Sequence, residues 1–262
     1  MNRIEAKFKN LKKARKKAFI VFITAGFPSL AITEKLVMEL SRIGVDIVEL
    51  GVPFSDPLAD GPVIQDSSQA ALKKNVHLVD ILRLVKNVRK KTNLAICLMT
   101  YYNPVFCFGE KSFVDRALAC GVDGVIIPDL PPEEGRTLIR YANKKGLDTI
   151  CFISPTSTLK RIKLISRVAT GFIYYVSLTG VTGTRQRLPQ DLINNLKKIK
   201  GITHKPVCVG FGVSTPLQVS QIYKAADGVI VGSAIVKKIK DNIGRPDLVK
   251  RVSNFILGLK NV

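Results

Sequence analysis

Short apolar runs alternate with amphipathic stretches along the whole chain. The runs are Phe19–Thr24, Asp46–Leu50, Leu94–Thr100, Gly124–Ile127, Thr149–Ile153, Gly171–Val176, Pro206–Val209 and Gly228–Val231. They are rich in β-branched residues and apolar nearly throughout, as expected of parallel strands covered on both faces. Between them apolar positions recur at helical spacing, predicting helices over Leu30–Ile43, Val79–Val88, Lys111–Cys120, Glu133–Lys144, Leu159–Val168, Asp191–Ile199, Pro216–Lys224 and Pro246–Leu257. Ile4, Phe8 and Leu11, with lysines between them, predict a short helix within residues 1–17 that closes one end of the fold. Similar corners lead from helix to strand at Gly44-Val45-Asp46, Gly121-Val122-Asp123, Gly146-Leu147-Asp148 and Ala226-Asp227-Gly228. Glycine suits such corners because it accepts the left-handed backbone that ends a helix. Eight strand–helix units, with no G-x-G-x-x-G after the first strand, favour a closed barrel over an open doubly wound sheet. The expected fold is therefore α/β: one (β/α)8 TIM barrel domain over residues 1–262 with an extra N-terminal helix.

Composition narrows the partners. With 262 residues, 46% of them apolar, the chain suits one barrel, and no apolar run nears the ~20 residues that span a bilayer. No membrane association is expected. The formal charge of +21 raises nucleic acid as a partner, but the cations are spread over polar faces and helix ends, with no aromatic-and-basic stripe. Nucleic acid is therefore not expected. The five cysteines, Cys97, Cys107, Cys120, Cys151 and Cys208, show no C-x-x-C spacing and read as small buried hydrophobes in a reducing compartment. His77 and His204 lack ligand neighbours at helical spacing, so no metal site is expected. The N-terminus carries no secretory signal, and with Glu5 present and serine absent before Ser29 it does not read as a transit peptide.

In such barrels chemistry gathers at the C-terminal strand ends. Glu49 stands within Ile47-Val48-Glu49-Leu50, on the same face as Ile47. A carboxylate there is costly to bury unless paired or used, and desolvation would raise its pKa into the range of acid–base work near neutrality. The alternative is a structural carboxylate held by a backbone group or a cation. Asp60 lies in the eleven-residue, proline-punctuated segment Val52–Pro62. Alone, its Asp-Gly-Pro turn is as easily only a turn. Gly210-Phe211-Gly212 and Gly232-Ser233 follow the seventh and eighth runs, where glycine lets backbone N–H groups approach an anion and a helix starting at Ser233 would point its positive end at it. Tight turns without a ligand are the other reading. Gly180-Val181-Thr182-Gly183 adds a further glycine pair after the sixth run. Phe22, Met99, Tyr101, Tyr174 and Phe211 fall where they would line a flat apolar substrate, although most such residues are simply core.

The run Glu49–Pro62 (ELGVPFSDPLADGP) closely resembles the signature of the tryptophan synthase alpha chain family. So do Met99-Thr100-Tyr101-Tyr102-Asn103-Pro104, Gly180–Gly183, Gly210–Gly212 and Gly232–Val236, in order along nearly the whole chain. The resemblance implies a lyase of tryptophan biosynthesis that splits indole-3-glycerol phosphate by retro-aldol cleavage into indole and glyceraldehyde 3-phosphate. It implies that Glu49 shuttles the proton at the substituted indole carbon, that Asp60 accepts the indole N–H, and that Tyr174 lies beside the glutamate. Phe22, Met99, Tyr101 and Phe211 would line the indole pocket, and Gly183, Gly212, Gly232 and Ser233 would hold the phosphate. Thr184-Arg185 would belong to a mobile lid. No cofactor is expected on this chain. The partner expected is a beta subunit carrying pyridoxal phosphate, in an α2β2 assembly that receives the indole, met through Asp56, Pro57, Asn103, Asp129 and Pro131. Met99 stands where the family often has leucine. The strong positive charge departs from the usual acidic bacterial members, and with the Lys/Asn bias it suggests a plastid (chloroplast) protein. Two other readings remain open: another phosphate-binding barrel enzyme, such as an isomerase of histidine or tryptophan synthesis, and a non-catalytic barrel that binds RNA or another partner.

Overall fold

The computed structural model describes residues 2–176, 190–210 and 212–262. Eight strands run β1 (Ala18–Thr24), β2 (Ile47–Gly51), β3 (Ala95–Met99), β4 (Gly124–Ile126), β5 (Asp148–Ile153), β6 (Ile173–Val176), β7 (Val207–Gly210) and β8 (Gly228–Val231). Each pairs in parallel with the next, and β8 closes onto β1 through Ala18↔Gly228 to Val21↔Val231. The barrel expected from the alternating pattern is the one observed.

The strands are apolar on both faces because each face has its own core. Inward, Ile20, Ile47, Cys97, Ile126, Ile150 and Ile230 fill the barrel. The N-terminal helix Arg3–Lys13 adds Ile4 and Phe8 to this inner core from below, so it plugs the base as expected. Burying each of these two side chains stabilises the fold by roughly 1.5–3 kcal/mol. Outward, Val21, Val48, Ile96, Val125 and Val209 meet the surrounding helices. Those helices start where side-chain oxygens satisfy free N–H groups. Ser29 accepts from Ile32 N–H at 3.2 Å and Thr158 from Arg161 N–H at 3.2 Å.

The repeated helix-to-strand corner has a physical role at three strands. The Asp46 carboxylate at the foot of β2 accepts the Phe19 N–H of β1 at 2.9 Å. Asp123 does the same for Ile96 of β3 at 2.9 Å, and Asp227 for Val207 of β7 at 3.0 Å. Cations then neutralise these buried acids: Arg3 and Arg89 reach Asp123 at 2.9 and 3.0 Å, and Lys7 reaches Asp46 at 3.4 Å. The base of the barrel is thus a locked collar, and the opposite end carries the loops that follow the strands.

Two helices went unread in the sequence. Pro62–Leu72 follows the Asp60 segment, with Pro62 in its first turn, and its buried face consists of Ser67, Ser68 and Ala71 rather than large apolar residues. Tyr102–Phe108 is a short helix with Pro104 near its start, where the missing N–H costs nothing. The expected start of the next-but-one helix at Glu133 moves to Arg136, because residues 132–135 form turns. The helix anticipated at Ser233 is present as Ser233–Lys240.

Candidate active site

Glu49 is the third residue of β2 and points into the barrel. Its cross-strand neighbours are Phe22 on β1 and Cys97 on β3, and Cys97 belongs to the inner core. The residue has 0% of its surface exposed, and neither carboxylate oxygen has a hydrogen-bond partner among the described residues. Burial pushes its pKa up to about 8. The carboxyl is therefore protonated at neutral pH, with an unshared proton, close to where proton exchange is fastest. The alternative of a structural carboxylate paired with a backbone group or cation finds no such partner among the described residues.

Tyr174 of β6 faces the same interior. Its ring lies 4.9 Å from that of Phe152 and occupies the space beside Gly210, where a Cβ would stand 2.3 Å from the phenol oxygen. Burial first, then the nearby charges of Glu49 and Asp60, hold the phenol protonated far above its ordinary range. Phe22 is 4% exposed, and its ring fills the place a Cβ on Gly51 would take, at 2.5 Å. The backbone at Gly232 also borders it: a Cβ there would meet Phe22 at 3.3 Å. Gly51 and Gly210 thus admit the two aromatic rings, a role that the sequence pattern did not reveal. Met99 ends β3, half-buried between the inner and outer cores.

Asp60 sits on the segment after β2, half-buried. The Tyr101 hydroxyl donates to its Oδ2 at 3.1 Å and accepts from Ala59 N–H at 2.9 Å, while the Tyr101 ring stacks on Phe54 at 5.1 Å. Burial raises the Asp60 pKa to about 6, against the lowering effect of the Tyr101 hydrogen bond. Tyr101 therefore fastens the Asp60 segment to the end of β3 through its hydroxyl, beyond the pocket-lining role expected of it.

Gly232 and Ser233 follow β8 directly and open the helix Ser233–Lys240, whose first N–H groups have no partner within the helix. Gly212 follows β7 with φ of +73°. Both strand ends lie on the rim where Glu49 and Asp60 are found. Gly183, Phe211, the pair Thr184-Arg185 and the rest of the expected lid lie outside the described residues. Among the described residues no group of three His, Cys, Asp or Glu side chains is placed to hold a metal ion.

The residues expected to meet a partner fall on the same rim. Asp56, Asn103 and Asp129 are exposed, Pro131 is half-buried and Pro57 is buried. The Asp129 carboxylate accepts the Tyr102 N–H at 2.9 Å, joining the ends of β3 and β4. Two large apolar side chains stand out beside them: Leu58, 92% exposed, and Phe106, 64% exposed.

The sequence profile of the tryptophan synthase alpha chain matches residues 8–260. The chain belongs to the tryptophan synthase alpha chain family. The alpha chain of Geotalea uraniireducens is 48% identical over 260 residues, covering 99% of this chain and 97% of its own length. The crystal structure of tryptophan synthase subunit alpha from Legionella pneumophila superposes with a TM-score of 0.93 at 36% identity, covering 100% of this chain and 98% of that one. A chain from the tryptophan synthase a2b2 complex of the hyperthermophile Pyrococcus furiosus gives a TM-score of 0.88 at 37% identity, covering 94% and 98%. As a member of this family the chain is an aldolase-type lyase that cleaves indole-3-glycerol phosphate in tryptophan biosynthesis, and the alpha reaction needs no cofactor. The bacterial source of the curated relatives lends no support to a plastid location.

Proposed function

We propose that Glu49 carries out both proton transfers of the cleavage. Protonated, it delivers its proton to the indole carbon bearing the glycerol phosphate side chain. That breaks the ring's aromaticity and leaves positive charge toward the ring nitrogen. Asp60, ionised above about pH 6, accepts the indole N–H and stabilises that charge. The carbon–carbon bond then breaks, its electron pair restoring the aromatic ring. The carboxylate of Glu49 takes the proton of the adjacent side-chain hydroxyl as the aldehyde forms, which regenerates the acid. Phe22, Met99, Tyr101 and Phe211 line the indole pocket, Tyr174 lies beside Glu49, and Gly183, Gly212, Gly232 and Ser233 hold the phosphate.

The observation that carries this reading is the fully buried, unpartnered Glu49 carboxyl, pushed up to about 8 on the inner face of β2. Replacing it with Gln keeps the shape and removes the ionisable group. Glu49→Gln is expected to lower indole release by about 10²–10⁴-fold with an unchanged circular dichroism spectrum. Turnover near that of the unaltered chain would refute the assignment.

We further propose that the chain works with a tryptophan synthase beta subunit, which carries the pyridoxal phosphate and receives the indole. The rim that bears Asp56, Pro57, Asn103, Asp129 and Pro131 is the face that meets it. Support comes from the likeness to the Pyrococcus furiosus complex and from the exposed Leu58 and Phe106 on that rim. No helix among the described residues is long and apolar enough to cross a membrane.

A further inference from the structure

A cavity of about 520 Å³ opens at the base of the barrel, at the opposite end from Glu49, between the N-terminal helix and the foot of β7. Its walls carry Lys12, Arg15, Lys16, Lys17, Lys200 and Lys205, against one acid, Asp227. That acid is already engaged. Its Oδ2 accepts the Val207 N–H at 3.0 Å, and its Oδ1 lies 2.7 Å from Lys200 and 3.7 Å from Lys17. The Lys205 ammonium donates to the Ala169 carbonyl. Lys12, Arg15 and Lys16 have no carboxylate partner among the described residues. Part of the remaining wall is apolar, formed by Phe8, Leu11 and Pro206.

The backbone turns back on itself between Lys12 and Lys16. Arg15 has φ of +53°, one of only two non-glycine residues with positive φ among those described. The turn is closed by Arg15 N–H to the Lys12 carbonyl and Lys16 N–H to the Leu11 carbonyl, the usual end of a helix in which glycine is favoured at the left-handed position. Here that position holds a guanidinium on the cavity rim instead. Six cations line one concave space of the size that small-molecule sites occupy. A single phosphate would answer only part of that charge. A chain of phosphates would satisfy several cations at once through charge-assisted hydrogen bonds.

We propose that this basal cavity binds the polyphosphate group of a small molecule, at a site separate from the substrate phosphate cradle at the barrel mouth. The source is either a nucleoside triphosphate, whose organic body rests on the Phe8, Leu11 and Pro206 wall, or an inorganic polyphosphate.

The test is isothermal titration calorimetry of the full chain with inorganic tripolyphosphate and, separately, ATP, at about 0.15 M salt. Excess glycerol 3-phosphate keeps the mouth occupied. One saturable site is expected. Arg15→Gly with Lys16→Ser should weaken both ligands at least about tenfold, since a charge-assisted hydrogen bond is lost, and should leave melting temperature and indole production unchanged. Glycine suits the backbone at position 15, so this variant keeps the turn. A control variant, Arg140→Ser with Lys144→Ser, removes the same two charges from the exposed face of the helix Arg136–Lys145 and should bind as the unaltered chain does. Tighter binding of ATP than of tripolyphosphate assigns the apolar wall to a nucleoside, and equal affinities assign the site to the phosphate chain alone. Equal weakening in both variants would reduce the effect to diffuse surface charge and overturn the proposal, as would the absence of saturable binding.

Discussion

Glu49 and Asp60 sit in different surroundings, and the difference sets their order of ionisation. Glu49 has no polar partner among the described residues and is pushed up to about 8, while Asp60 has the Tyr101 hydroxyl and reaches only about 6. Between those values the first is an acid and the second a carboxylate, which is the division of labour the proposed mechanism uses. The pH profile of kcat/KM should therefore be bell-shaped, rising through about 6 and falling through about 8. Tyr101→Phe removes a hydrogen bond that lowers the Asp60 pKa, so its acid limb should move to higher pH, while the alkaline limb stays in place. An unmoved acid limb would detach Asp60 from it. Glu49 also ties function to stability. Its folded pKa lies above its ordinary value of 4.5, so its contribution to stability is complete below about pH 4.5 and is lost as pH rises through about 8. Glutamine at position 49 cannot ionise. The melting temperature of Glu49→Gln should accordingly gain on that of the unaltered chain between pH 5 and pH 9. A gap that stays constant with pH would contradict the raised pKa. The sequence made Glu49 conspicuous because a lone carboxylate interrupts an apolar strand. The local pattern left Asp60 undecided and only the family resemblance singled it out, because the Tyr101 hydroxyl that tunes it comes from a strand end forty-one residues away in sequence.

At the scale of elements, the apolar pattern reported what burial on two faces imposes, and all eight strands lie within three residues of the expected bounds. Helices with strong apolar stripes were equally legible. The helix Pro62–Leu72 was not, since its contact with β1 is made by hydroxyls: Ser67 and Thr24 share a hydrogen bond at 2.6 Å, and small polar residues on the inner face erase the helical period. Glycine roles were also hidden. Gly210 was read as part of a phosphate turn, yet the inner face of β7 at that position is where the Tyr174 ring lies. A methyl group at 210 would meet the phenol oxygen and two ring carbons of Tyr174 at 2.3–2.6 Å, so the ring must turn away or the strand must shift. Gly210→Ala is expected to destabilise the chain by about 1–3 kcal/mol through overpacking. It should also lower kcat/KM by up to about 10²-fold, because an ångström of displacement at the site has that effect. Denaturant unfolding and steady-state indole production measure the two. Unaltered kinetics would show that the position of Tyr174 does not matter to the reaction.

The whole molecule presents two ends with opposite character. The base is a collar of aspartates and cations, and six lysines and arginines line the cavity beside the N-terminal helix. The mouth carries Glu49 and Asp60, the turns at Gly212 and Gly232, and the exposed Leu58 and Phe106. Single exposed hydrophobic residues are ordinary on a protein surface. Leu58 and Phe106 differ because the Tyr101 hydroxyl binds the Leu58 segment at Ala59 and at Asp60, immediately before the helix that carries Phe106. A partner docking over them would bury apolar area and press on Asp60 through the same segment, which links association to catalysis without any long-range path. Leu58→Asp tests this. With 92% of the residue exposed, the substitution should change the stability of the isolated chain by no more than about 0.5 kcal/mol. In the assembly it places a charge where an apolar contact is expected, and affinity for the beta subunit should fall by about tenfold or more, with a matching loss of any stimulation of indole production. Phe106→Asp should act in the same direction, and the two together should not exceed the sum of their separate effects if one patch is involved. Titration of purified beta subunit into each variant reads this directly. If Leu58→Asp binds as tightly as the unaltered chain, the partner meets another face, and the exposed leucine has no part in assembly.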